Sequence, residues 1–369
     1  MGLIRGLIQH VSALVSAKSS RCREDMDRAR WLKTGALLLT SLGIAFALIV
    51  PSAASLGTIT PFSCGQVFGV NGTSPTYSIV GFQDVSRTYV GFQANVGTIT
   101  SSCGNNVSIP GATSVFPAAI SPDGFMTGIY AASDTTRPAF VMDPHGNVLS
   151  FKASDSGLSG DANAYGQHPA GITVSTGGIA WVVGSYLTNK GKTSHSFAVQ
   201  INTSNSPPTI VSGSWISFDI SVAGSGTARG VDGAAIVNIV GSYPDASGKD
   251  QGFVLNLTDL LSVRQAAPQV TVVPLSSVAT VTCSGAIGGR IHGISDGGRT
   301  VGVAFTGTVS GYAYLVDGGW TKGQATHPIC NQIPVPGASK GGETWASGVT
   351  SDGVYIVGQG GSADWVYQP

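Results

Sequence analysis

The sequence predicts an all-β protein: a β-propeller of four-stranded antiparallel blades, six blades favoured, five or seven as alternatives. Three observations carry this prediction. Glycine fills 52 of 369 positions, about twice the usual share of roughly 7%. Beyond residue 54, fifteen of the sixteen acidic residues are aspartates and only Glu343 is a glutamate. Aspartate, glycine and serine favour turns, whereas glutamate favours helices. Finally, one strand-and-turn motif recurs five times, and a second landmark moves with it.

The elements follow in chain order. Residues 35–50 are an uncharged apolar run behind Arg28, Arg30 and Lys33, with Pro51-Ser52-Ala53-Ala54-Ser55 after it. A basic flank, an apolar run and small residues form the pattern of a secretory signal, so residues 1–54 are expected to be a signal cleaved after Ala54. Sixteen residues rise about 24 Å as a helix, short of the roughly 30 Å hydrocarbon core, which disfavours the competing reading of a retained anchor. Met26 would start a signal of ordinary length and is the alternative start. Residues 55–369 then form a single exported domain, with no membrane contact once the signal is removed.

Within it, residues 55–117 have room for a degenerate first repeat, with Ser78–Phe82 and Tyr89–Phe92 as strands. The clear copies are near 118–169, 170–227, 228–290, 291–345 and 346–369. In each, a β-branched residue, a polar turn and a short apolar strand end on a glycine: Gly128, Gly184, Gly241, Gly302 and Gly358. These glycines are 56, 57, 61 and 56 residues apart. Phe140, Phe197, Phe253 and Tyr314 follow them by 12, 13, 12 and 12 residues, and Trp365 does so after a shortened loop. Asp123-Gly124, Asp232-Gly233, Asp296-Gly297 and Asp352-Gly353 are hairpin dipeptides. Outer strands are expected at Asn147–Phe151, Trp215–Ile220 and Val270–Val273. The last repeat stops early, and the N-terminal segment is expected to supply its missing outer strand.

The motif, G-I-[ST]-x-D-G, then V-V-G, then [HA]-[AS]-F, resembles the extracellular HAF-repeat proteins of bacteria. Its nearest copies are Ala170–Tyr186 with His195-Ser196-Phe197, and His292–Gly302 with Ala313-Tyr314. The resemblance implies an exported repeat protein and assigns no catalytic residue.

Charge excludes some functions. The whole chain holds 19 basic and 19 acidic residues, only 10% charged in all. A nucleic-acid binder driven by phosphate contacts needs a basic face, and none is present. Four cysteines lie beyond the signal, and an even count in an exported chain points to two disulfides; Cys64–Cys103 and Cys283–Cys330 are the sequence-local pairing. No C-x2-C or H-x-x-x-H spacing exists, so neither a metal nor another cofactor is expected.

Candidate chemistry is sparse. Gly293-Ile294-Ser295-Asp296-Gly297 matches a hydrolase nucleophile elbow, but similar turns recur at Ile120–Gly124 and Val349–Gly353, so it reads as a turn. Asp84, Asp134, Asp219, Asp250 and Asp364 have no repeat partners and are candidates for a carboxylate pair, with Glu343 as a further acid/base candidate. Tyr130, Tyr186 and Tyr243 each lie two residues past a landmark glycine and are candidate ligand platforms, with Trp181, Trp215, Trp320 and Trp345 as further platforms. The expected function is therefore a monomeric, exported, non-catalytic binding propeller for a carbohydrate or cell-surface polymer. A secreted polysaccharide hydrolase or lyase and a purely structural surface repeat protein are the alternatives.

Overall fold

The computed structural model describes residues 57–369, apart from 74–75, 100–102, 134–135, 157–167, 176, 189–192, 221–225, 265–269, 308–309, 319, 321, 323–324, 327, 339–342 and 361–362. The expected signal and the alternative start at Met26 lie outside the described residues. Six four-stranded antiparallel blades stand in a ring: a six-bladed β-propeller. Blade 1 runs inside to outside as Gln66–Thr73, Thr76–Val85, Thr88–Asn95 and Asn105–Val107. Blades 2 to 5 begin with Ala112–Ile120, His168–Ser175, Thr227–Val231 and Gly288–Ile294. Blade 6 takes Thr344–Val349, Ile356–Gly360 and Ala363–Gln368 from the C-terminus, and its outer strand, Thr58–Phe62, from the other end of the domain. The expected ring closure is therefore present, with Ile59 opposite Tyr367 and Pro61 opposite Trp365. Pro61 lacks a ladder N–H, which an outermost strand tolerates.

The two landmarks keep register because they face each other across one hairpin. Gly128 pairs with Phe140, Gly184 with Phe197, Gly241 with Phe253, Gly302 with Tyr314 and Gly358 with Trp365. Blade 1 repeats the arrangement as Gly81 and Phe92. The aromatic ring occupies the room a side chain would need: a Cβ on Gly241 would stand 2.8 Å from the Phe253 ring. Phe140, Phe197 and Phe253 are fully buried, worth about 2–3 kcal/mol each in transfer free energy.

Innermost strands carry the second regularity. Each has a bulge, at Val67/Gly69, Pro117/Ala119, Pro169/Gly171, Ala228/Gly230, Ile291/Gly293 and Ala346/Gly348. Past each bulge the six backbones crowd the axis. A Cβ on Gly171 would lie 2.9 Å from the Gly230 Cα, and one on Gly230 would lie 3.1 Å from the Gly293 Cα. This close approach explains the glycine that precedes the turn in most repeats.

The turns explain the rest of the motif. Ser121 and Ser295 each accept, on the side-chain oxygen, the N–H four residues on, and Thr350 accepts the N–H five residues on, all at 3.0 Å. Ser295 is 2% exposed, so the elbow-like sequence is a capped hairpin turn. The turns also stitch neighbouring blades. Gly233 N–H donates to Asp296 at 2.6 Å, and the Tyr77 hydroxyl donates to Asp352 at 2.5 Å. Between the blades lie six apolar clusters, one for each neighbouring pair. Both disulfides form as the sequence-local pairing. Each ties the segment entering a blade to that blade's outer strand.

Three sequence details are corrected. Innermost strands of blades 2 to 6 start one to six residues before the repeat boundaries at 118, 170, 228, 291 and 346, because the bulge region precedes the motif. Thr271–Val273 is no outer strand of blade 4; it adds in parallel to blade 3 beside Ile216–Ile220, and Val278–Val281 closes blade 4. The helix Leu257–Val263 carries the chain out on this detour. Asp232 also differs from the other turn aspartates. It takes the place of the Ser or Thr, accepting the Asn238 N–H at 2.8 Å, and is buried.

Candidate functional site

The bulges place one side chain from each blade at the mouth of the axis: Phe68, Ala118, Ala170, Arg229, His292 and Ser347. Two alanines leave room here, Phe68 adds a benzyl group, and three polar groups are drawn inward. A cavity of about 310 Å³ opens over this ring, walled further by Arg290, Val303, Glu343 and Trp345. A second cavity of about 520 Å³ shares Phe68, Ala118, Ala170 and Arg229 with the first and extends over Phe82, Phe116 and Ile129. The Phe82 ring stacks on Phe68 at 5.4 Å and meets Phe116 edge-on at 5.0 Å; Tyr89, 38% exposed, completes this ledge. The site thus has an aromatic side over blades 1 and 2 and a polar side over blades 5 and 6. Arg229 stands between them.

Hydrogen bonding fixes the polar side. The His292 Nδ1 lies 2.8 Å from the Ala346 carbonyl. A carbonyl can only accept, so Nδ1 carries the hydrogen and Nε2 is left as an acceptor. Burial, followed by the Arg229 charge, pushes the His292 pKa down to about 3, so this imidazole is neutral at physiological pH. Arg290 donates its Nε to Asp250 at 2.6 Å and lies over the Phe305 ring at 5.2 Å. Arg229 has no such partner among the described residues, and its Nε is buried without a hydrogen bond. The Ser347 hydroxyl is also buried and unpartnered. Burial lowers the Arg229 pKa to about 10, which leaves the guanidinium charged at neutral pH.

Of the aromatic residues singled out in the sequence, Trp345 lines the first cavity, whereas the three tyrosines, Trp181 and Trp215 lie elsewhere. Tyr130, Tyr186 and Tyr243 occupy equivalent places on the second strands of blades 2, 3 and 4. Each phenol reaches over the third strand to a hydroxyl on its own blade's outer strand. Tyr186 meets Ser217 at 2.5 Å, Tyr243 meets Thr280 at 3.0 Å and Tyr130 meets Ser150 at 3.0 Å. Tyr186 and Tyr243 are 2% and 5% exposed. Burial raises both phenol pKa values. Trp181 packs in the cluster between blades 3 and 4, and Trp215 stacks on Phe197 at 4.7 Å. No shared tyrosine surface results. The repeat makes these residues prominent because the blade needs them, not because they converge.

The unpaired aspartates are also accounted for singly. Asp219 holds His195 Nδ1 at 2.9 Å, while His195 Nε2 meets Thr188 at 3.0 Å, tying three strands of blade 3 together. Asp250 is bonded to Arg290, and Asp84 accepts the Arg87 N–H at 2.9 Å. Asp134 lies outside the described residues. Among the described residues none of these aspartates meets another carboxylate, and no three metal-ligating side chains converge. Sequence reading missed the axial six because they vary from blade to blade. The signal was available: each is the residue just before the position, glycine in five blades and Ala119 in blade 2, that precedes the turn.

Compared with family models, the chain matches none, and no curated protein matches it. Solved structures give distant likenesses at the level of fold. AofleA from Arthrobotrys oligospora, in mutant form, aligns with a TM-score of 0.43 at 9% identity, covering 87% of this chain and 89% of that one. A post-proline cleaving enzyme from Rickettsia typhi aligns with a TM-score of 0.40 at 10% identity, covering 82% of this chain and 42% of that one. A fucose-specific lectin from Aleuria aurantia aligns with a TM-score of 0.38 at 12% identity, covering 84% and 97%.

Proposed function

We propose that this propeller is an exported binding module, as its resemblance to the HAF-repeat proteins implies, and that it holds a carbohydrate chain across the axial mouth without cleaving it. One observation carries the reading. Aromatic faces flank the axis on both sides, Phe82 and Phe116 on one and Trp345 on the other, with hydrogen-bonding groups of Arg229, His292 and Ser347 between them. Sugar rings offer an apolar face and a rim of hydroxyls, and that combination matches aromatic platforms beside fixed donors and acceptors. Glycoside hydrolysis by the usual route needs two carboxyl groups flanking the bond. Among the described residues lining the two cavities, Glu343 is the only carboxylate. Two disulfides and the absence, among the described residues, of a helix long and apolar enough to cross a membrane fit an exported protein.

The test is a panel of soluble and insoluble polysaccharides, read for retention and for released reducing ends in the same tubes. Retention without release is expected. Trp345→Ala should weaken retention about tenfold or more while leaving the thermal midpoint within a few degrees, because Trp345 is only part-buried. Release of reducing ends would overturn the non-catalytic reading, and unchanged retention by the variant would move the ligand off the axis.

A further inference from the structure

The cavity holds a cation with no bonded counter-charge, although Asp250 attracts it from further off. Arg290 is neutralised by Asp250. Glu343 sits at the exposed rim. His292 is neutral, with its acceptor Nε2 left free by the bond to Ala346. Arg229 therefore keeps a full charge at the centre of the ring, with its Nε buried and unpaired. Arg229 as a residue is only part-buried, but a buried donor such as its Nε ordinarily finds a partner, because an unmade hydrogen bond there is costly. Nothing in the packing demands arginine there. The equivalent positions of blades 2 and 3 hold only Ala118 and Ala170. A guanidinium held in this way is a fitting for a planar anion, which it can grip through two parallel N–H groups. The Ser347 hydroxyl, buried and unpartnered, is a further polar group at the axis.

We propose that the axial cavity selects an acidic sugar, with the carboxylate of a uronic acid seated on Arg229 and the sugar ring lying on the neighbouring aromatic faces. The inference rests on the reading of this cavity as a carbohydrate site. The chain's low overall charge does not argue against an acidic ligand, because Arg229 sets a local charge on the axis.

Calorimetric titration of the protein with an oligogalacturonate and with its methyl ester tests the two claims separately, since the ester keeps the sugar and removes the charge. The acid should bind at least tenfold more tightly than the ester, and its affinity should fall with added salt. Arg229→Gln should bring the acid down to the ester's affinity. Ala170→Glu, which puts a carboxylate on the neighbouring blade beside Arg229, should fold and also lose the acid preference. It keeps the test open should Arg229→Gln fail to fold. Equal binding of acid and ester would overturn the anion site while leaving the carbohydrate reading in place. An undiminished preference in either folded variant would overturn the role of Arg229. Binding of neither oligosaccharide would overturn both readings.

Discussion

Asp364 shows how one residue reports on the ring's closure. It lies on the third strand of blade 6, paired with Phe62 of the closing strand and with Gln359 of the second strand. Burial raises its pKa to about 7, with no compensating charge. A carboxyl whose folded pKa lies above its unfolded value favours the folded state while protonated. That contribution is complete below about pH 4 and is lost as the pH rises through 7. Asp364→Asn removes the titration. The variant should match the parent at pH 4 and melt a few degrees higher at pH 8. Equal midpoints at both pH values would mean that the carboxyl is solvated in the folded state. Asp245 behaves oppositely: four hydrogen bonds from its own turn, the Ser247 hydroxyl first, hold its pKa down to about 2.

The hairpin of second and third strands is the element that the sequence discloses best, and its chemistry explains why. Gly241 and Phe253 form one contact, so their spacing is set by the register of a single turn. Gly241→Ala should cost at least about 3 kcal/mol, since the new methyl meets both the Phe253 ring and the Thr227 carbonyl. Thermal unfolding measures this, and a loss under about 1 kcal/mol would show that the ring shifts aside freely. Repeated contacts of this sort made the blades readable from residue order alone, while the short last repeat pointed to the closing strand and the even cysteine count to both disulfides. Other elements left weaker marks. The detour of Thr271–Val273 to blade 3 depends on a helix of seven residues and on a parallel pairing with no local turn to announce it. The candidate site was the least readable. Arg229, His292 and Phe68 share a position but not a chemistry, so periodicity hides them, whereas Tyr186 and Tyr243 recur because they brace each blade.

At the scale of the whole molecule, six blades become one cooperative body only if the ring is closed. Each neighbouring pair shares one apolar cluster, but the pair of blades 6 and 1 is joined by the chain's two distant ends. Strand Thr58–Phe62 holds that seam through its ladder with Ala363–Gln368, and Cys64–Cys103 anchors it to blade 1. Cys283–Cys330 makes the same kind of link in blade 5, where the chain is continuous on both sides. The two bridges close loops of similar length, 39 and 47 residues apart, so chain entropy assigns each about 4 kcal/mol. Their consequences should still differ. Without Cys283–Cys330 the protein should melt at a lower temperature but in one transition. The double variant Cys64→Ser/Cys103→Ser should instead open at the seam, with amide exchange rising first in Thr58–Phe62 and Ala363–Gln368 and then in blade 1, ahead of global unfolding. Exchange that rises evenly around the ring in both variants would show that the inner crowd of backbones, from Gly69 through Gly348, holds the propeller shut without its closing strand.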